Sequence, residues 1–284
     1  MNFALAAITG RILLLGIERI VVKRLGTYGD SFSSAFLFFA FGALLLWPFT
    51  ILEEVGSYAF LGRVAVSSVV YAAAFVCYVK SLSIGEASLV SPLYNFNIFF
   101  LAVIAAVFLG EGLGLFKLAG LCLLVYGATF LNRQRTWWCS LGVLFQDRAC
   151  RLMMAGSLLI AVGRVIDKYN MAVAPPVTYC FTLYCFVSAY LLILIIWKRR
   201  VGRMVRLVRE QPGLSITAGA INGFSYLFLL IALKDLEVSV AEPVSMLGMV
   251  VTVILSKFMF GEYIRQRMLG VVVMTGGAWL LFLA

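Results

Sequence analysis

The sequence predicts an all-α integral membrane protein: ten transmembrane helices arranged as two inverted five-helix repeats. Three observations carry this expectation. Of 284 residues, 63% are hydrophobic and only 13% charged, with a mean hydropathy of +1.03. A soluble domain runs nearer half apolar and a quarter charged, and could not hide this much apolar surface. The apolar residues fall into ten continuous runs, and the second half of the chain echoes the first.

A helix crosses a bilayer with roughly 20 mostly apolar residues. The runs cover 3–23, 31–51, 61–82, 88–109 and 113–131, then 152–173, 177–197, 213–233, 239–260 and 266–284. They are unbroken rather than alternating, so helices are expected and a β-barrel is not. Residues 3–22 carry Arg11, Glu18 and Arg19 with no small-residue cleavage site after them, which reads as a retained helix. Gly29-Asp30, Glu53-Glu54, Ala174-Pro175-Pro176 and Gln211-Pro212-Gly213 punctuate the runs. Residues 132–151 form a longer interfacial linker near the midpoint, where Trp137-Trp138 suits the headgroup region. The domains are therefore 1–131, the linker 132–151, and 152–284.

The repeat is the most specific signal. Arg19-Ile20-Val21-Val22-Lys23 resembles Arg164-Val165-Ile166-Asp167-Lys168, each closing the first helix of its half. Glu86, Pro92 and Glu111 match Glu237, Pro243 and Glu262 at one constant offset. Gly120 and Gly127 match Gly270 and Gly277 one residue out of that register. Five helices per half is an odd number, so the second half enters the membrane upside down. That is the architecture of many secondary transporters, with a cleft between the halves.

Several function classes are excluded or disfavoured. A net charge of +10 could suggest nucleic acid, but much of the excess lies in short connections between apolar runs. Such flanks serve topology and anionic-lipid contact. Six cysteines without a CxxC spacing, and no histidine, argue against a zinc site or a disulfide framework. No nucleotide or cofactor motif is visible, and no Ser/His, Cys/His or metal-ligand set suggests an enzyme. Basic residues concentrate on the connections after odd-numbered helices, Lys198 to Arg209 above all. Positive-inside then puts both termini outside the cytoplasm of an inner (plasma) membrane protein.

The mid-helix proline followed by Gly-Glu and a glycine-containing helix occurs as Pro92, Gly110 and Glu111, and again as Pro243, Gly261 and Glu262. With the length and the five-plus-five repeat, this resembles the drug/metabolite transporter superfamily, EamA type, over nearly the whole chain. The resemblance implies export or exchange of small metabolites. Related branches move amino acids, nucleotide sugars, cationic drugs or lipid-linked sugars, and well-known members keep their termini in the cytoplasm.

Ionisable side chains inside spans are costly and usually face a cavity or a partner; Arg11, Glu18, Arg19, Arg164, Asp167 and Glu242 are such groups. Arg19 and Arg164 occupy equivalent positions. They either clamp an anionic or zwitterionic head, since a guanidinium forks onto carboxylate or phosphate, or snorkel to the interface. Glu18 either pairs with Arg11 or binds protons or cations. Glu242 precedes Pro243 and could face the cleft. Tyr71, Tyr78, Tyr94, Asn95, Asn97, Asn222 and Tyr226 are candidate pocket residues, or else interhelical hydrogen-bonders. Pro92 and Pro243 are candidate hinges. Glu111 and Glu262, at the turns into helices five and ten, are expected to be structural. The expected partners are a small-molecule or lipid substrate and membrane lipids, in a monomer or homodimer, with no cofactor or metal. The leading expectation is a secondary transporter, or exchanger, of a small polar metabolite. The alternative is a lipid or lipid-linked-sugar translocase on the same fold.

Overall fold

The structure is a computed structural model, and it describes residues 2–55, 58–108, 114–131, 137–171, 173–235, 245 and 247–282. Every regular element among them is a helix. The first half gives α1 (Asn2–Tyr28), α2 (Ser31–Thr50), α3 (Leu61–Ile84), α4 (Ala87–Leu93), α5 (Phe96–Phe108) and α6 (Leu115–Ala128). Next comes α7 (Trp137–Gln146), and then the second half: α8 (Arg148–Met171), α9 (Pro176–Trp197), α10 (Val201–Glu210), α11 (Pro212–Asp235), α12 (Gly248–Phe260) and α13 (Arg265–Phe282). Among the described residues, six stretches are long and apolar enough to span a bilayer on their own: α2, α3, α4 with α5, α8, α9 and α11. The chain is a multi-pass membrane protein.

Sequence position four is one predicted run but two helices. Pro92 has no N–H to donate one turn back, and the backbone after it tightens. Tyr94 and Asn95 form a turn bonded to Ser91 and Pro92, three residues earlier rather than four. The expected linker is also mostly helix. Asp147 caps the start of α8 by accepting from the Cys150 amide at 2.8 Å, so α8 begins four residues earlier than the apolar run. A short helix, α10, interrupts the basic connection, where Arg203, Arg206 and Arg209 share its exposed side and Leu207 is buried.

Helix pairing follows the repeat. α1 packs on α11 as α3 packs on α8, and α2 packs on α9. α6 packs on α13 through bare backbone. A Cβ on Gly127 would sit 3.0 Å from the Gly270 carbonyl, and one on Gly277 would sit 2.7 Å from that of Gly120. Because Gly120 and Gly127 are the equivalents of Gly270 and Gly277, these two contacts exchange under the repeat operation. The numbering rises along one helix as it falls along the other, so α6 and α13 run antiparallel. The α2–α9 pair says the same: Asp30 meets Arg200, Phe39 meets Tyr184, and Glu53 caps α9 through the Val177 and Thr178 amides. The halves are inverted.

The Gly-Glu step after α12 has a physical explanation. Gly261 takes a left-handed conformation, φ +67°, with nothing near where its Cβ would be. Torsion, not space, requires glycine there. The turn directs Glu262 not to its own helix α13 but to the start of α4. Its carboxylate accepts from the amides of Ala87 and Ser88 at 2.9 and 2.7 Å and from Lys23 Nζ at 2.7 Å. Lys23 also donates to the Gly85 carbonyl. One acid thus caps a helix of the opposite repeat and neutralises a lysine of α1. Glu262 is structural, as expected, though for a different helix. Glu111, its counterpart, lies outside the described residues.

Burial alone would raise the Glu262 pKa, but Lys23, the Ser88 hydroxyl and the two amides hold it below the usual carboxylate value. A depressed folded-state pKa contributes stability above the unfolded value near 4.5, lost as pH falls through the lower folded value. Acid unfolding in detergent should therefore begin below about pH 4.5. Glu262→Gln should flatten that limb and cost about 2–4 kcal/mol at neutral pH. A variant with the wild-type acid limb would remove this account of the Gly-Glu step.

Candidate functional site

Between the halves lies a cavity walled by α1, α2, α3, α8, α9 and α11 and by the turn after α4. Its charged lining is Arg11 and Glu18 from α1 and Arg164 from α8. Tyr71, Tyr94, Tyr184, Asn222, Ser225 and Tyr226 add polar and aromatic side chains, and Leu15, Phe39, Phe75, Ile160 and Leu183 add apolar wall. The space open to the centre of a water molecule is about 20 Å³, room for one or two waters and far less than a metabolite requires. At this size the chamber holds no metabolite, so admitting a solute requires the helices to part.

Two of the cationic groups are anchored. Arg11 donates through Nε to Ser245 Oγ and through Nη1 to the Ser225 carbonyl, both at 3.0 Å. Arg164 reaches Asp167 and the Tyr71 hydroxyl, each at 3.4 Å, and lies 5.1 Å from the centre of the Tyr226 ring. Asp167, one helical turn after Arg164, is fully buried and accepts three phenols: Tyr71 at 2.5 Å, Tyr179 at 2.6 Å and Tyr226 at 2.7 Å. An isolated carboxylate at such depth would be prohibitive, and four donors from α3, α8, α9 and α11 make it tenable.

Of the residues singled out in the sequence, Glu18, Tyr71, Tyr94, Arg164, Asn222 and Tyr226 line the chamber. Tyr71 and Asn222, the repeat equivalents, both do so. Neither Arg19 nor Arg164 snorkels: their exposures are 0% and 6%. They do not face each other across the space either, because Arg19 lies behind the wall, its guanidinium 5.0 Å from the centre of the Tyr94 ring. Glu18 and Arg11 share the chamber without a direct ion pair, and Glu18 accepts instead from Tyr78 at 3.4 Å. Tyr78 stacks edge-on with Tyr94. Asn95 is turned away, donating to Met249 Sδ, and Asn97 is buried outside the lining. Pro92 sits just before the helix break; Pro243 and Glu242 lie outside the described residues. Sequence reasoning did not place Asp167, Tyr179, Tyr184 or Arg11 at this site. Asp167 and Arg11 stood out as charges within spans, but nothing in the pattern marked the two tyrosines.

The fold and this buried, charged chamber define a membrane transporter built from two inverted repeats. The chain belongs to the EamA-like transporter family, whose model matches it twice, over residues 2–133 and 148–283. No curated protein matches the sequence. Solved structures do match, among them one described only as the crystal structure of a protein. It aligns with 99% of this chain and 95% of its own at a TM-score of 0.56 and 14% identity, a likeness of fold alone.

Removing the acid at the centre of the tyrosine cluster should strand Arg164 and three phenols. Asp167→Ala is expected to cost about 3–5 kcal/mol in detergent unfolding. Gly163→Ala should act more mildly, by about 1–3 kcal/mol. A Cβ there would lie 2.6 Å from the Tyr71 ring and displace its hydroxyl from Asp167. If neither change alters unfolding, the cluster does not hold these helices together.

Proposed function

We propose that this transporter exports a small anionic or zwitterionic metabolite by alternating access, as a secondary carrier in the inner membrane with both termini outside. The observation that carries the reading is the charge balance of the chamber. Among the described residues, two guanidiniums, Arg11 and Arg164, line it with one carboxylate, Glu18, and Asp167 is the counter-ion that Arg164 reaches. Asn222 Nδ2 and Ser225 Oγ, both on the lining, are buried without a hydrogen-bond partner. These two groups want acceptors, and a carboxylate or phosphate group supplies them.

Direction follows from two physical supports. Basic α10 and its flanks, Lys198 to Arg209, suit the anionic cytoplasmic surface. With that side inside, a negative interior favours loss of an anion by about 2.3 kcal/mol per charge per 100 mV. The break at Tyr94-Asn95 offers a place for the wall to bend, since its hydrogen bonds are already not those of a continuous α-helix.

Purified protein in liposomes should accelerate flux of some member of a panel of carboxylates, amino acids and phosphorylated metabolites, without ATP. Arg164→Gln and Arg11→Gln should each reduce that flux at least about tenfold. Selective flux of cations, undiminished when both guanidiniums are removed, would falsify the reading.

A further inference from the structure

The repeat makes Arg19 and Arg164 equivalent, yet their surroundings differ in one decisive way. Three residues after Arg164 stands Asp167, which it reaches at 3.4 Å. Three residues after Arg19, at the same place in the matched pentapeptide, stands Val22, buried and apolar. At that place the second half carries a carboxylate that its arginine reaches, and the first half carries none; the acid beside Arg19, Glu18, accepts from Tyr78 instead.

Arg19 is accordingly left with charge and no acceptor. It is fully buried, and its Nε, Nη1 and Nη2 have no hydrogen-bond partner. Its ordered contact is the face of the Tyr94 ring at 5.0 Å. A ring face offsets part of the cost of burying a cation but none of the lost hydrogen bonds. Tyr94 is also part of the chamber wall and sits on the turn that breaks helix four. The ring that covers Arg19 is therefore carried by the segment best able to move.

We infer that Arg19 is a second anion-binding position, behind Tyr94, that receives the carboxylate or phosphate group of the transported solute. It supplies from outside the counter-ion that Asp167 supplies to Arg164 from within the chain. When the turn at Tyr94-Asn95 shifts, the guanidinium joins the chamber and offers up to five donors in a fork that suits two acceptor oxygens. This rests on the anionic-substrate reading and adds to it the residue that holds the charged group. Glu18, on the same helix, faces Arg11 and Arg164 across the chamber and takes the Tyr78 hydroxyl. It lies beside Arg19 without a hydrogen bond to it.

The test is thermal unfolding of the full-length protein in detergent, titrated with inorganic phosphate and, separately, with acetate at constant ionic strength. Wild type should be stabilised in a saturable way by at least one of them. Arg19→Gln should bind that anion about tenfold to a hundredfold more weakly. It should also unfold at a higher temperature than wild type when no anion is added, because a stranded buried charge has gone. A purely structural arginine would give the opposite shift. Val22→Asp should rebuild the Asp167 arrangement around Arg19 and remove the anion response by internal pairing. An anion response undiminished in Arg19→Gln overturns the proposal. If Arg164→Gln alone loses the response, the anionic-substrate reading stands and only the assignment to Arg19 fails. If no anion stabilises any form, both fail together.

Discussion

A carboxylate held in the middle of a bilayer must find all its partners inside the protein, and the packing around the chamber is organised by that demand. Asp167 meets it with three phenols and a guanidinium drawn from four helices. Each of the three phenols is held by its hydrogen bond to the acid. Tyr71 and Tyr226 are thereby presented to the chamber with their hydroxyls already engaged, so their rings rather than their polar tips shape its wall. The same demand explains why Arg164 can be kept as a cation at that depth. Two of the four tyrosines in the chamber wall, Tyr71 and Tyr226, are thus also part of the shell of donors around one acid.

The overall architecture could be read from the sequence because lipid makes the reading simple. Runs of apolar residues had to be helices, five is odd, and matched glycines had to approach something closely. Gly120, Gly127, Gly270 and Gly277 do so, in two contacts that the repeat exchanges. Local hydrogen bonding was harder to read. Pro92 lies just before the helix break, but where the helix is interrupted depends on Tyr94 and Asn95 making short-range turns. The helix α10 was hidden because polar composition reads as linker, and α7 because its ten mostly apolar residues are too few for a span. Arg203, Arg206 and Arg209 at three-residue intervals, with Leu207 among them, were the available sign of α10.

The site was legible only in part, and the reason is distance in sequence. Tyr71, Arg164, Asn222 and Tyr226 were chosen for being polar in an apolar context, and that criterion finds chamber residues. It cannot tell which hydroxyl is engaged by which acid, since Asp167 gathers donors from positions 71, 164, 179 and 226. It also treated Arg19 and Arg164 as a symmetric pair, whereas one difference between the repeats, valine for aspartate, gives them different surroundings. Symmetry of fold and asymmetry of charge coexist here, and the second arises where the first is locally broken.

The seam between α6 and α13 has a further implication. Its two glycine contacts are copies of one contact, made between equivalent positions on chains running opposite ways. A lone five-helix unit bearing those glycines would therefore be complementary to itself, provided a second copy sat in the membrane upside down. Fusing two such units end to end fixes their opposed directions in one polypeptide. Each copy is then free to change alone, as the loss or gain of a single acid beside an arginine illustrates.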